Sequence, residues 1–281
     1  KNIYGPYERK LVLHQGSTNT NGPHQGAWVH TSFGEDWFLH FQDRGAFGRI
    51  MHLQPMTWEN DWPIIGAPQS KGIGNPVVQY RVPKGLLKDT IKENNSLTHF
   101  QWNGNPEWFW KQSFYNEQRF YAVTKKDPSQ NLWNFPAIYN RKINASYSNA
   151  TFTLDFHPNQ IGEKTGVIVF GMNYATIQLE NTKDGLQLYY VTCIDANKSG
   201  AEQKTLLLSG APSQLKVRLQ YNHQEQVSFS YLDNHQQWIT LPDLFTAVPG
   251  QWVGATMGIF CSAEKTTNDA GYVVFQSFTI Q

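Results

Sequence analysis

Short runs in which apolar and polar residues alternate recur along most of this chain, and no stretch has a helical period long enough to compete with them. Thr151-Phe152-Thr153-Leu154-Asp155-Phe156, Gly166-Val167-Ile168-Val169-Phe170-Gly171, Leu186-Gln187-Leu188-Tyr189-Tyr190, Leu215-Lys216-Val217-Arg218-Leu219 and Val227-Ser228-Phe229-Ser230-Tyr231 are the clearest. A period of two sends neighbouring side chains to opposite faces, so each run can bury one face and offer the other to water or to another layer. Turn-forming residues separate the runs, which makes each one a strand among many. The chain is therefore expected to be all-β, with an antiparallel sandwich or jelly roll in its later part.

Composition narrows the possible partners. The 23 basic and 22 acidic residues leave no net field that would favour nucleic acid, and no apolar run approaches a membrane span. Neither nucleic acid nor membrane is an expected partner. Ten Trp, thirteen Tyr and seventeen Phe stand beside many Gly, Asn, Gln and Thr. Such aromatic platforms and amide groups suit neutral, hydroxyl-rich ligands, although strands also use these rings in their cores. Cys193 and Cys261 lack the spacing of a metal site or a disulfide framework and read as buried thiols.

The first ninety or so residues have their own pattern. Asn21-Gly22-Pro23-His24-Gln25-Gly26-Ala27-Trp28-Val29 leaves a Gly/Pro turn and carries a His and a Trp on one strand. After a second turn, Gly34-Glu35-Asp36-Trp37-Phe38-Leu39-His40-Phe41-Gln42-Asp43 begins another. This is the layout of a propeller blade. Between Pro83 and Asn95 the chain turns polar and weakly periodic, which reads as a connection between a domain over residues 1–90 and one over 97–281.

The run from Asn21 to Gly66, with Gly48-Arg49-Ile50-Met51-His52-Leu53-Gln54-Pro55-Met56, resembles the closing part of the catalytic propeller of family-43 glycoside hydrolases, the β-xylosidase and α-L-arabinofuranosidase group. Gln101-Trp102-Asn103-Gly104-Asn105-Pro106 resembles the opening of the β-sandwich that follows that propeller, and the match continues through Gly258-Ile259-Phe260-Cys261 to Gly271-Tyr272. The resemblance implies the final blades of a five-bladed β-propeller followed by a concanavalin-like β-sandwich. At about 40 to 50 residues per blade, residues 1–90 supply two blades at most and do not close a ring alone.

The family's activity is inverting, exo-acting release of xylose or arabinose from plant polysaccharides or oligosaccharides, which needs a general acid and a general base on opposite faces of the sugar. Those carboxylates lie upstream in the family, so no catalytic residue is expected in this chain; Glu8, Glu35, Asp36, Asp43, Glu59 and Asp61 read as solvated turn and strand-end charges. Six residues match substrate-facing positions or lie beside them: Arg49 as a forked cation, Trp28 and Phe47 as walls, and Gln25, Gln42 and Asp43 as partners for sugar hydroxyls. His24 matches the residue that holds a central ion or water, so a calcium at the propeller centre is the one metal the resemblance suggests, and the chemistry itself requires no cofactor. Read from the residues alone, His24 and Arg49 serve equally as structural residues, and Trp28 and Phe47 as packing between blades.

In the sandwich, Val274 and Gln276 stand where the family's calcium-binding acids would be, which argues against a calcium there. Residues 245–250 align loosely with a loop that limits pocket depth in the family, or form an ordinary Pro-Gly turn. The resemblance further implies a xylo- or arabino-oligosaccharide and upstream blades of the same protein as partners, and a secreted or periplasmic location. The alternative is a carbohydrate-binding β-sandwich module without catalysis.

Overall fold

A computed structural model describes residues 2–69, 72–78, 99–115, 117–143 and 149–280. It is all-β, and among the described residues no helix is long and apolar enough to cross a membrane. The chain divides into two compact units. One comprises Lys1–Arg44 and Arg49–Lys92, and the other Gly45–Gly48 and Glu93–Gln281. The expected connection at residues 83–95 lies outside the described residues.

The first unit is built on a four-stranded antiparallel meander in the order β1 (His24–His30), β2 (Asp36–Asp43), β3 (Arg49–Glu59), β4 (Trp62–Ile65). The β3–β4 hairpin turns through Asn60 and Asp61, at φ 50° and 65°, the left-handed pair of a tight two-residue turn whose twist matches the strands. A short pair, β5 (Ala67–Pro68) and β6 (Gly74–Asn75), follows. The unit's apolar cluster is small: Leu13, Met56 and Ile65, with Val12 and Phe38 against it. Beside it lies a polar column. Gln54, fully buried, donates its amide to His40 Nε2 at 3.2 Å and accepts the Val77 N–H at 2.8 Å. His40 stacks on His52 with ring centroids 5.3 Å apart, and His52 Nε2 donates to Gln42 Oε1 at 3.1 Å. Desolvation lowers the pKa of both imidazoles, and neutrality lets each ring serve one donor and one acceptor.

The second unit is a sandwich of two sheets. The first runs β16 (Glu202–Ser209), β15 (Gly185–Cys193), β14 (Tyr174–Thr182), β13 (Lys164–Phe170), β21 (Thr256–Ala263), β11 (Ile138–Lys142), β7 (Gln101–Trp102), with β10 (Val123–Thr124) beside β21. The second runs β19 (Trp238–Thr240), β18 (Gln226–Leu232), β17 (Gln214–Tyr221), β12 (Asn149–His157), β22 (Tyr272–Ile280), β9 (Glu117–Tyr121), β8 (Lys111–Phe114), with β20 (Phe245–Thr246) beside β18. Each clear alternating run of the sequence falls in one of these strands: β12, β13, β15, β17 and β18.

Phe152, Leu154, Phe229, Val167 and Ile177 are fully or almost fully buried in this unit. In β13 and β14 both faces are buried, because register places Ile168, Phe170, Tyr174 and Phe260 on the face opposite Val167 and Ile177, where Trp110, Leu132 and Phe135 pack over them. An alternating strand between two apolar layers loses its exposed face. Cys193 and Cys261 are free and buried, as expected.

Candidate functional site

The substrate-facing candidates do not form one cluster. Three groups emerge, set by strand register.

The first is at the start of β1. His24 is opposite Phe41 on β2, their ring centroids 4.5 Å apart and edge-to-face. Phe41 also carries Arg49 of β3, whose guanidinium carbon is 4.3 Å from the ring centre, within cation–π range. Arg49 Nε lies 3.7 Å from Asp43 Oδ1, the residue opposite it in the β2–β3 ladder. Both side chains are well exposed, so this pair adds little stability, about 0–1 kcal/mol. Asp43 is also fixed by Asn21, which accepts its N–H at 3.0 Å and donates to its carbonyl at 2.9 Å. The carbonyl of Gly22 can only accept, so its contact with His24 makes Nδ1 the protonated nitrogen. Strand pairing thus brings His24 and Arg49 to one buried aromatic ring.

The second group lies farther along β1. Trp28 Nε1 donates to Asp36 Oδ1 at 2.7 Å, and His30 Nδ1 lies 2.9 Å from the same oxygen. Trp58 of β3 meets Trp28 edge-to-face at 5.1 Å. The indole N–H of Trp28, then His30, holds the Asp36 carboxyl below its ordinary pKa. Asp36 therefore anchors two aromatic side chains. The sequence reading of Asp36 as a solvated strand-end charge is corrected here, since its carboxylate is largely shielded and bonded to both rings; the signal available was a Trp and a His two residues apart on a strand facing an Asp at the next strand's start.

Phe47 forms the third. It is 4% exposed within Gly45–Gly48, the four residues that group with the sandwich. There the Ala46 N–H donates to Glu225 Oε1 at 3.0 Å, and the Ala255 N–H donates to the Ala46 carbonyl at 2.7 Å. Gln25 sits at φ 50° where the β1–β2 register shifts between His24 and Ala27. This bulge breaks the simple alternation after His24, so spacing alone does not give the direction of Trp28.

Among the described residues no group of three or more His, Cys, Asp and Glu side chains could hold a metal ion. Calcium takes six to eight oxygen ligands, and one imidazole does not make that site. In the sandwich, Val274 lies opposite Asp155 and Arg119, and Gln276 accepts a hydrogen bond from Gln214 at 3.1 Å. The buried acid nearby is Glu163, fully shielded, whose carboxylate accepts the N–H groups of Gly271 at 2.7 Å, Asn159 at 2.7 Å and Gln160 at 3.0 Å. It ties the turn before β13 to the start of β22, a role that sequence reading missed because its three partners are backbone groups. Residues 245–250 are held in the sandwich through β20, the Ala247 N–H on the Glu225 carbonyl at 2.8 Å and the Met172 N–H on the Pro249 carbonyl at 3.0 Å.

A closing propeller blade and a concanavalin A-like sandwich in one chain define a C-terminal part of a family-43 glycoside hydrolase. Residues 88–281 match the model of the β-xylosidase C-terminal concanavalin A-like domain, and the chain belongs to that family. Over 113 residues, 38% of the chain and 22% of the relative, it is 50% identical to a protein of Xylanibacter ruminicola that carries the β-xylosidase name. Over 99% of its length it is 25% identical to 51% of a β-xylosidase of Formosa agariphila. The chain thus spans about half the length of that relative, or less of the other. Its fold is similar to the crystal structure of the family-43 protein BlXynB from Bacillus licheniformis, with TM-score 0.76 and 20% identity over 99% of this chain and 58% of that one. It is similar also to xylan β-1,4-xylosidase from Bacillus halodurans, with TM-score 0.73 and 14% identity over 100% of this chain and 58% of that one.

Proposed function

We propose that this chain is the C-terminal portion of an inverting exo-glycosidase that removes xylose or arabinose from plant polysaccharides or oligosaccharides, working outside the cell or in the periplasm. The observation that supports it most is the meeting of His24 and Arg49 on the Phe41 ring at one end of the blade. A permanent forked cation beside an imidazole suits the holding of sugar hydroxyls and of a carboxylate. Of the blade's acids, the Asp36 carboxylate is engaged by the Trp28 and His30 side chains, and that of Asp43 faces Arg49. The general acid and base are therefore assigned to upstream blades. Inversion requires these two carboxyls to flank the sugar with room for a water between them. A central calcium would take most of its oxygen ligands from those blades, with His24 contributing at most one position.

The test compares the 281-residue chain with a version extended toward the N-terminus on aryl β-xyloside and aryl α-L-arabinofuranoside. The extended protein is expected to release sugar and the shorter chain to give only the blank rate. Turnover by the short chain would return the blade's acids to the catalytic role denied them here. The ratio of the two rates in the extended protein decides between xylosidase and arabinofuranosidase.

A further inference from the structure

The sandwich contains a cleft that the proposed activity does not use. It has a volume of about 490 Å³ and is lined by Phe109, Gln112, Tyr121 and Thr124 on one side and by Thr266, Thr267 and Asn268 on the other. The first set comes from the chain before β8 and from β8, β9 and β10; the second comes from the connection between β21 and β22. The size falls within the range of about 300–1,000 Å³ usual for small-ligand sites.

Three features of the lining define what would fit. Among the described residues no Asp, Glu, Lys, Arg or His lines it, so they offer no counter-charge to a phosphate, a uronate or an amine. Its aromatic wall is open: Phe109 is 45% exposed, and Trp108, 80% exposed, meets it edge-to-face at 5.8 Å. An exposed ring pair beside a cleft presents flat apolar faces of the kind on which the C–H faces of a sugar ring rest. Around these rings stand hydroxyls and amides. Tyr121 donates its hydroxyl to Gln112 Oε1 at 3.3 Å, which leaves the two amide N–H groups of Gln112 as donors. Thr124, Thr266 and Asn268 spend no side-chain hydrogen bond on other described residues, while Thr267 accepts the Asp269 N–H at 3.2 Å. Both donors and acceptors are thus on offer, as the hydroxyls of a neutral sugar require.

We infer that this cleft, formed within the sandwich unit, is a binding site for a neutral oligosaccharide of pentose units. That the ligand is a neutral saccharide follows from the lining; that its units are pentoses rests on the function proposed above.

The experiment is calorimetric titration of the 281-residue chain with xylohexaose, arabinohexaose, cellohexaose and an oligogalacturonate. Xylohexaose or arabinohexaose is expected to bind and the oligogalacturonate not. Phe109→Ala should weaken binding about tenfold, the loss expected for one stacked aromatic contact, and F109A with Gln112→Ala should abolish it. Leu206→Ala, at an exposed apolar side chain of β16, should leave it unchanged. Phe109 is largely solvated, so the melting temperature of F109A should match the parent's and separate lost binding from lost fold. Binding of cellohexaose alone, still lost in F109A, would keep the saccharide cleft and overturn the pentose assignment. No binding of any neutral oligosaccharide, binding of the oligogalacturonate, or equal binding by parent and double variant would overturn the cleft.

Discussion

The blade and the sandwich are both antiparallel sheets, yet they satisfy their side chains in opposite ways. All seven residues of β1 are exposed, and Trp28 and Val29 among them are large apolar groups. Much of the blade's interior is polar, with His40 and Gln54 fully shielded. The sandwich closes its two sheets over fully buried Phe152, Leu154 and Phe229, and adds a second apolar layer across β13 and β14. A sheet with a bare edge strand and a small core is made to be completed by neighbours, whereas a sheet covered on both faces completes itself. The fold therefore divides into a part with a bare edge strand and a small core and a part whose apolar layers are covered from within.

The strongest way to break this contrast is to separate the parts. Residues 97–281 alone are expected to give a soluble monomer with one cooperative melt, and residues 1–90 to aggregate unless upstream blades are supplied. Size-exclusion chromatography and calorimetry decide it. A monomeric, cooperatively melting 1–90 fragment would remove the contrast and with it the propeller assignment.

A smaller effect tests the sandwich from within. Glu163→Ala removes the acceptor of one buried backbone N–H, that of Gly271, and of two part-buried ones, those of Asn159 and Gln160, which should cost about 1–3 kcal/mol and lower the sandwich melting temperature. Glu163→Gln keeps an acceptor and should recover part of the loss. If E163A melts with the parent, water has replaced the carboxylate and the buried lock is not needed.

In the blade, Arg49→Ala in the N-terminally extended enzyme should lower kcat/KM by a factor of tens, in keeping with about 2 kcal/mol for a cation that meets sugar or carboxylate. His24→Ala should lower it in the same direction, and the double variant should fall short of the product of the two, because both side chains rest on Phe41. Parent-like kinetics with a parent-like melt would assign both residues to structure alone.

Acidification should give the mildest separation of the two parts. Burial lowers the pKa of His40 and His52 in the fold below the ordinary value of about 6.5. The unfolded chain then binds protons first as the pH falls, so this stability is complete above about 6.5 and declines as the pH drops through the folded values. Denaturant melts from pH 7.5 to 5 should show the blade weakening over that window, and Gln54→Leu, which removes the hydrogen bond to His40, should change its depth. A blade whose midpoint ignores pH would mean that the imidazoles take up protons in the folded state with a compensating partner.

Local patterning was enough for the all-β class and for the long strands β12, β13, β15, β17 and β18. Alternation is a local property, and the runs at 151–156, 166–171, 186–190, 215–219 and 227–231 all became strands because a period of two suits one buried face wherever that face later packs. The family, too, was legible in motifs with fixed spacing, among them the run from Gln101, which lies within the matched residues 88–281. Groupings of side chains were not. Trp28 joins Asp36 and Trp58 because a bulge after His24 resets the register, Phe47 groups with the sandwich through a four-residue segment, and Glu163 finds backbone partners up to 108 positions away. These outcomes depend on which residues pairing and packing bring opposite one another, and a one-residue shift in register sends a side chain to the other face of the sheet. Strand content could be read from neighbours in the chain, but the partners of each side chain were decided only when the sheets closed.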